Sequence, residues 1–153
     1  MNRDFHWLLY TVLFSLQTSF AQVYQFENLG DLVNSGYAEL APIISTDGLT
    51  LYFHRSNHPK NSFGASNSQD IWYTTLNQEG KWTYAQRLPP PLNNDQFNSI
   101  KGVSPDGNTL LLEGAFEKGR YTGKGLSFSH RTDKGWTLPQ KIEVINYQKM
   151  AQG

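Results

Sequence analysis

The stretch Glu39-Leu40-Ala41-Pro42-Ile43-Ile44-Ser45-Thr46-Asp47-Gly48-Leu49-Thr50-Leu51-Tyr52-Phe53-His54-Arg55 decides the fold. Two apolar runs flank a turn that ends in Asp47-Gly48, which is the grammar of a β-hairpin. The same grammar returns 59 positions later, from Ile100 to Glu113, around Ser104-Pro105-Asp106-Gly107. A hairpin that recurs in this way marks a repeat unit, and a repeat specifies an architecture before it specifies any chemistry.

Reading outward from the first hairpin, Leu40 to Ile44 is one strand and Leu49 to His54 the next, with Leu51 and Phe53 on one face and Tyr52 and His54 on the other. Apolar residues on both faces imply a strand covered on both sides, as in stacked sheets. Asn57 to Gln69 is polar, carries Pro59 and Gly64, and is expected to be a loop. Asp70-Ile71-Trp72-Tyr73-Thr74 is a third strand, rich in aromatic and β-branched residues. Asn77-Gln78-Glu79-Gly80 turns the chain, and Lys81-Trp82-Thr83 opens a fourth strand that ends near Leu88, before Pro89-Pro90-Pro91.

The second copy keeps the order. Ser99 to Val103 and Thr109 to Glu113 form its hairpin, and the turn has Pro105 preset for its second position and Gly107 free to take a positive φ. Phe116 to Lys124 is expected to be a loop. Gly125 to Ser129 is the third strand, and Gly135-Trp136-Thr137 opens the fourth, which ends near Ile142. Four strands per repeat, twice over, is the order of a β-propeller blade. The expected class is all-β, with no helix after the leader. Residues 34–92 form one four-stranded antiparallel blade and residues 93–147 another, while residues 148–153 begin a continuation. Upstream, the apolar-aromatic segment with Val23, Tyr24 and Phe26 ends in residues that match Leu88 and Asn93. Residues 22–33 are therefore expected to supply the outer strand of an incomplete closing blade.

The pattern Ser-x-Asp-Gly-x-Thr-Leu, followed by Asp70-Ile71-Trp72-Tyr73, Gly80-Lys81-Trp82 and Asn93-Asn94, resembles the TolB-like, WD-repeat-like propeller blades common in exported proteins of Bacteroidetes. The resemblance covers Gln22 to about Tyr147. Two positions depart from it: Gly125 stands where the first repeat has Asp70, and Thr46 stands where the second has Pro105. In many such proteins an OmpA-like peptidoglycan-binding domain follows the propeller, so the resemblance implies an OmpA-family-like protein of the periplasm or outer membrane of a Gram-negative bacterium. Its partner would be a protein of the cell envelope, and peptidoglycan would be reached only through a domain absent from this sequence. The same blades also occur beside peptidases and in binding modules, so fold alone does not decide the function.

A propeller closes with roughly four to eight blades, whereas two are present. The expectation is therefore a fragment of a larger propeller, its last blade borrowing Tyr24 to Leu29 as an outer strand, or else copies that supply blades to one another. On two blades alone, Leu51, Phe53, Ile71, Tyr73, Leu110, Leu112, Leu126 and Phe128 would be partly exposed.

Composition narrows the classes further. The 153 residues carry 13 Lys plus Arg against 13 Asp plus Glu, leaving no basic field for nucleic acid. With no cysteine there is no disulfide framework, thiolate nucleophile or zinc knuckle. Residues 1–21 have the form of a signal peptide: Arg3 is followed by the apolar run from Trp7 to Phe14, and Ser19-Phe20-Ala21 ends in a cleavage pattern. No later segment is apolar enough to span a bilayer as a helix.

The candidate sites are few. Asp47, Asp70 and Asp106 are carboxylates near loops, where general-acid or metal-binding groups often lie. Their places favour structure: Asp47-Gly48 and Asp106-Gly107 in turns, Asp70 at a strand start capping the loop before it. His54, Arg55 and His58 are the one polar cluster to single out as a binding candidate. A strand running into a loop does not force the two rings together, and zinc wants three or four ligands. No nucleophile elbow or phosphate loop is present, and no cofactor is expected. Trp72, Trp82 and Trp136 could stack on sugars, but their recurrence favours packing between strands and blades. The sequence thus predicts a non-catalytic interaction scaffold. The alternatives are a propeller flanking a peptidase or glycan hydrolase, and a carbohydrate-binding module.

Overall fold

A computed structural model describes residues 24–143 and residue 145; the leader 1–21, Val23 and the continuation 148–153 lie outside them. The described chain forms nine strands and no helix. The first sheet contains β1 (Glu39–Ile44), β2 (Thr50–Ser56), β3 (Gln69–Thr75) and β4 (Gln86–Arg87) in sequence order, with every pair antiparallel. The second contains β5 (Ile100–Val103), β6 (Thr109–Glu117) and β7 (Arg120–Thr132), and both β8 (Gly135–Trp136) and β9 (Gln140–Ile142) pair with β7. Because β8 and β9 bond to successive stretches of β7, they share one fourth-strand position.

The two hairpin turns are chemical copies. The Ser45 hydroxyl donates to Asp47 Oδ1 at 2.6 Å, the Leu49 N–H donates to the same oxygen at 2.9 Å, and the Thr50 N–H donates to Ser45 Oγ at 2.9 Å. Ser104, Asp106, Asn108 and Thr109 repeat each bond, with the Thr109 N–H 2.9 Å from Ser104 Oγ. Gly48 and Gly107 close the turns at φ values of 73° and 71°, a region that suits residues without a Cβ. The fourth strand breaks at equivalent threonines. Thr74 Oγ1 donates to the Thr83 carbonyl at 2.6 Å and Ser129 Oγ to the Thr137 carbonyl at 2.7 Å. The threonine of each repeated Trp-Thr dipeptide adds its own hydroxyl, Thr83 Oγ1 accepting from the Thr75 N–H at 3.3 Å and Thr137 Oγ1 from the His130 N–H at 3.0 Å, beside the backbone bonds Thr83 N–H to Thr75 O and Thr137 N–H to His130 O.

The sheets stack face to face. Alternation along the strands sends Tyr52, Ile71 and Tyr73 to one side of the first sheet, and Ile100, Leu110 and Leu112 meet them from the second. Ile71, Ile100 and Leu110 are at most 1% exposed, so this is the main core. The other side of the first sheet packs Phe53, Trp72 and Ala85 against Val33 and Leu29. Its cover is tied down by backbone as well, because Ala85 N–H donates to the Leu32 carbonyl at 2.8 Å.

Three expectations change here. Residues 24–29 form no strand, and Tyr24 and Phe26 are exposed; the covering contacts come from Leu29 to Val33, an irregular segment lying on the sheet face. Residues 116–124 are not a loop. The second and third strands of the repeat run on into a hairpin with Glu117 opposite Arg120, turning through Lys118-Gly119 at φ values of 49° and 76°. Two successive residues at positive φ match the twist of the flanking strands, and Phe116 meets Tyr121 edge to face across them at 5.8 Å. Finally, Phe53, Ile71, Leu110 and Leu112 are buried, because stacking and the N-terminal segment cover them. The open outer face of the second sheet instead carries Leu111, Leu126 and Phe128.

Candidate functional site

Polar side chains converge where the two repeats meet. Asp70, at the head of β3, has no solvent exposure. Its Oδ2 accepts from Ser62 N at 2.7 Å, Ser62 Oγ at 3.0 Å and Arg87 Nη1 at 3.1 Å, and its Oδ1 accepts from Asn98 Nδ2 at 2.9 Å. One carboxylate thus joins the 57–69 loop, the fourth strand and the linker into the second repeat. Asn93, also buried, lies against the outer edge of β3. Its Oδ1 accepts from the Ile71 N–H at 2.8 Å and its Nδ2 donates to the Ile71 carbonyl at 2.8 Å, so a side-chain amide imitates a neighbouring strand.

The linker continues this pairing. Gln69 N–H donates to the Gln96 carbonyl at 2.9 Å, and Asn98 N–H donates to the Gln69 carbonyl at 2.8 Å, a short parallel bridge. At its end the Ile100 N–H donates to His54 Nε2 at 2.9 Å. That nitrogen must be unprotonated to accept, and burial pushes the His54 pKa below its ordinary value, the Ile100 contact opposing the shift. His54 is therefore a main-chain acceptor between the sheets.

Arg55 points the other way, as strand alternation requires. It is buried, with Nε 2.9 Å from Glu39 Oε1, Nη2 donating to the Val33 carbonyl at 2.6 Å, and the guanidinium 4.3 Å from the Trp72 ring centre. His58 meets Trp72 edge-on at 4.7 Å and Tyr37 at 4.8 Å, and burial followed by the nearby Arg55 charge lowers its pKa. The three members of the cluster thus part company: His54 faces the second sheet, while Arg55 and His58 clamp the N-terminal segment and loop around Trp72.

The remaining sequence candidates take structural positions. Asp47 and Asp106 are turn formers, their carboxyls held below the usual range by the Ser45 and Ser104 hydroxyls and then by the Leu49 and Asn108 N–H groups. Trp72 is buried, with Nε1 donating to Asn61 Oδ1 at 3.1 Å, so it offers no platform to a ligand. Trp82 and Trp136 are half-buried against the two cores. Sequence reasoning missed Asn61, Ser62, Gln69 and Asn98. The signal for Asn98 was present as Asn98-Ser99 just before a strand, but one polar residue in a linker does not announce its burial.

Among the described residues no buried polar side-chain atom lacks a hydrogen-bond partner, and no three His, Asp or Glu side chains converge as a metal site. The buried side chains of the junction are thus all hydrogen-bonded and join the two sheets. A cleft of about 590 Å³ lies beyond it at the second sheet, lined by Asp95, Phe97, Glu113, Tyr121, Lys124 and Gly125 among others. Comparison with protein-family models, curated proteins and solved structures finds no match for this chain.

Proposed function

We propose that the two sheets are successive blades of a β-propeller, and that the chain serves as a non-catalytic protein-interaction scaffold in the cell envelope. The observation that carries this reading is the junction: among the polar groups that could have been catalytic, Asp70 and His54 bind the linker into the second repeat and Arg55 binds the N-terminal segment. Asp70, His54 and Arg55 each bind partners distant in sequence. A surface made in this way is rigid, and rigid sheets carrying variable loops are suited to recognition. The rim loops, including residues 57–69, form the binding surface, held in shape by buried Asn61 and Ser68. Export rests on the Arg3 start, the apolar run and the Ser19-Phe20-Ala21 pattern. The location is the periplasm or outer membrane, and the OmpA-like anchoring domain follows only from the resemblance in blade motif. Among the described residues no helix is long and apolar enough to cross a membrane.

Cell fractionation with N-terminal sequencing tests export, and cross-linking in isolated envelopes tests the partner. The expected result is a protein beginning at Gln22 in the envelope fraction, cross-linked to another protein through the 57–69 rim. A cytoplasmic protein that keeps Met1 would overturn the reading.

A further inference from the structure

The repeat supplies a template for its own open side. Residues on the first sheet that face the second have counterparts on the second sheet that face outward: Tyr52, Ile71 and Tyr73 correspond to Leu111, Leu126 and Phe128. The first set is covered by Ile100, Leu110 and Leu112. The second set has no such cover among the described residues, and Phe128 is 39% exposed.

The polar seat has counterparts too. On the first sheet, His54 Nε2 accepts the Ile100 N–H, and Gln69 pairs its backbone with Gln96 and Asn98 of the incoming linker. Fifty-nine positions after His54 stands Glu113, an acceptor again, with its carboxylate on the outer face and 2.8 Å from Lys101 Nζ. Lys124 is the counterpart of Gln69 in sequence, two residues before Leu126, where the β9 ladder begins; the β6–β7 register shifts beside it, with Ala115 opposite Gly123 where the first sheet has Ser56 opposite Gln69. Glu113 and Lys124 both line the 590 Å³ cleft. In the first repeat the corresponding place is filled by the linker 96–100. One part of the seat is changed, because Gly125 replaces Asp70 and offers no carboxylate to an incoming asparagine amide.

We infer that this cleft and the adjoining Leu111-Leu126-Phe128 face form a docking site for a further sheet of the same repeat, which enters linker first, pairs its backbone with Lys124 and donates a main-chain N–H to the Glu113 carboxylate. The site takes an extended segment with an asparagine seven residues before an isoleucine, as Asn93 stands before Ile100, followed by a strand with aliphatic residues on the facing side. This deepens the blade reading above and rests on it. It is tested on purified protein, so failure of docking and failure of envelope localisation are separate results.

The probe is a capped peptide copying residues 93–103, titrated into the full chain while amide resonances are followed. The expected result is saturable shifts at Glu113, Lys124, Leu126 and Phe128. Glu113→Ala weakens binding about tenfold, the scale of one charge-assisted hydrogen bond, while Glu113→His, which installs the acceptor used at position 54, retains it. Glu113 is half exposed at the sheet surface, and identical unfolding midpoints for these variants separate lost docking from lost folding. A peptide carrying Ile100→Asp should not bind. Absence of shifts at millimolar peptide, shifts confined to other surfaces, or equal binding to Glu113→Ala would overturn the inference. So would self-association that covers Phe128, since the face would then belong to a second copy.

Discussion

Replacing Asp70 by alanine removes the acceptor for four hydrogen bonds at once. Ser62 N–H and Oγ, Arg87 Nη1 and Asn98 Nδ2 lose their common partner; Asp70 and Asn98 are buried, while Ser62 and Arg87 reach water. Breaking a buried ion pair from one side costs about 3–5 kcal/mol. Arg87 is 30% exposed and recovers part of its hydration, which places the expected loss toward the lower end, about 3 kcal/mol. Asp70→Asn keeps the shape and one acceptor oxygen. If that oxygen faces Ser62 and Arg87, only the Asn98 amide meets a donor, so a smaller cost of about 1–3 kcal/mol is expected. The assay is urea unfolding of the mature chain, followed by tryptophan fluorescence, with the slope checked to be unchanged so that a lower midpoint reports stability alone. For a chain of this length the alanine variant should also melt roughly 10 °C lower. An Asp70→Ala loss below about 1 kcal/mol would refute the argument that this carboxylate joins the repeats.

Other perturbations follow from the same geometry. Because burial lowers the His54 pKa, the folded state favours neutral imidazole; its contribution is complete above about pH 6.5 and declines as pH falls through that value toward the lower folded one. His58 acts in the same direction. His54→Gln, which can still accept the Ile100 N–H, should flatten the fall in stability between neutral and mildly acidic pH, and an unaltered slope would exclude His54 as its source. Gly48→Ala meets no atom within 4 Å but must hold φ near 73°, so it should cost about 1 kcal/mol in chemical denaturation, with Gly48→Asn costing less. Arg55→Met abolishes the bonds to Glu39 and Val33 and should raise acrylamide quenching of Trp72 fluorescence as the 29–33 segment loosens; quenching equal to wild type would contradict the clamp.

The repeat was legible in the sequence because its turns and strands use residues whose local chemistry is nearly self-sufficient. Ser45 and Asp47 close their turn whatever lies around them, and their copies at Ser104 and Asp106 made the period visible. The 118–119 hairpin was missed because neither Phe116 nor Tyr121 lies in a strongly apolar run, and each depends on the other for its place. The junction was harder still. Asp70, Asn93 and Asn98 acquire their roles from groups 22 to 28 positions apart in sequence, and no local pattern encodes such a meeting. His54, Arg55 and His58 were recognised as a cluster, but strand alternation divides its first two members between opposite faces.

The break in the fourth strand bears on how the protein survives in a crowded compartment. An outermost strand with an uninterrupted row of N–H and C=O groups is a template on which other chains can polymerise into fibres. Here that row is cut into Gln86–Arg87 in one repeat and into Gly135–Trp136 and Gln140–Ile142 in the other, and at the gaps Thr83 and Thr137 Oγ1 accept the Thr75 and His130 N–H groups of the strand inside. On that edge a stray strand meets only runs of two or three residues. A threonine at the middle of each outer strand thus guards a cysteine-free protein against amyloid-like growth, and its replacement by valine, which lengthens the strand's appeal while removing the hydroxyl, should first be felt as aggregation.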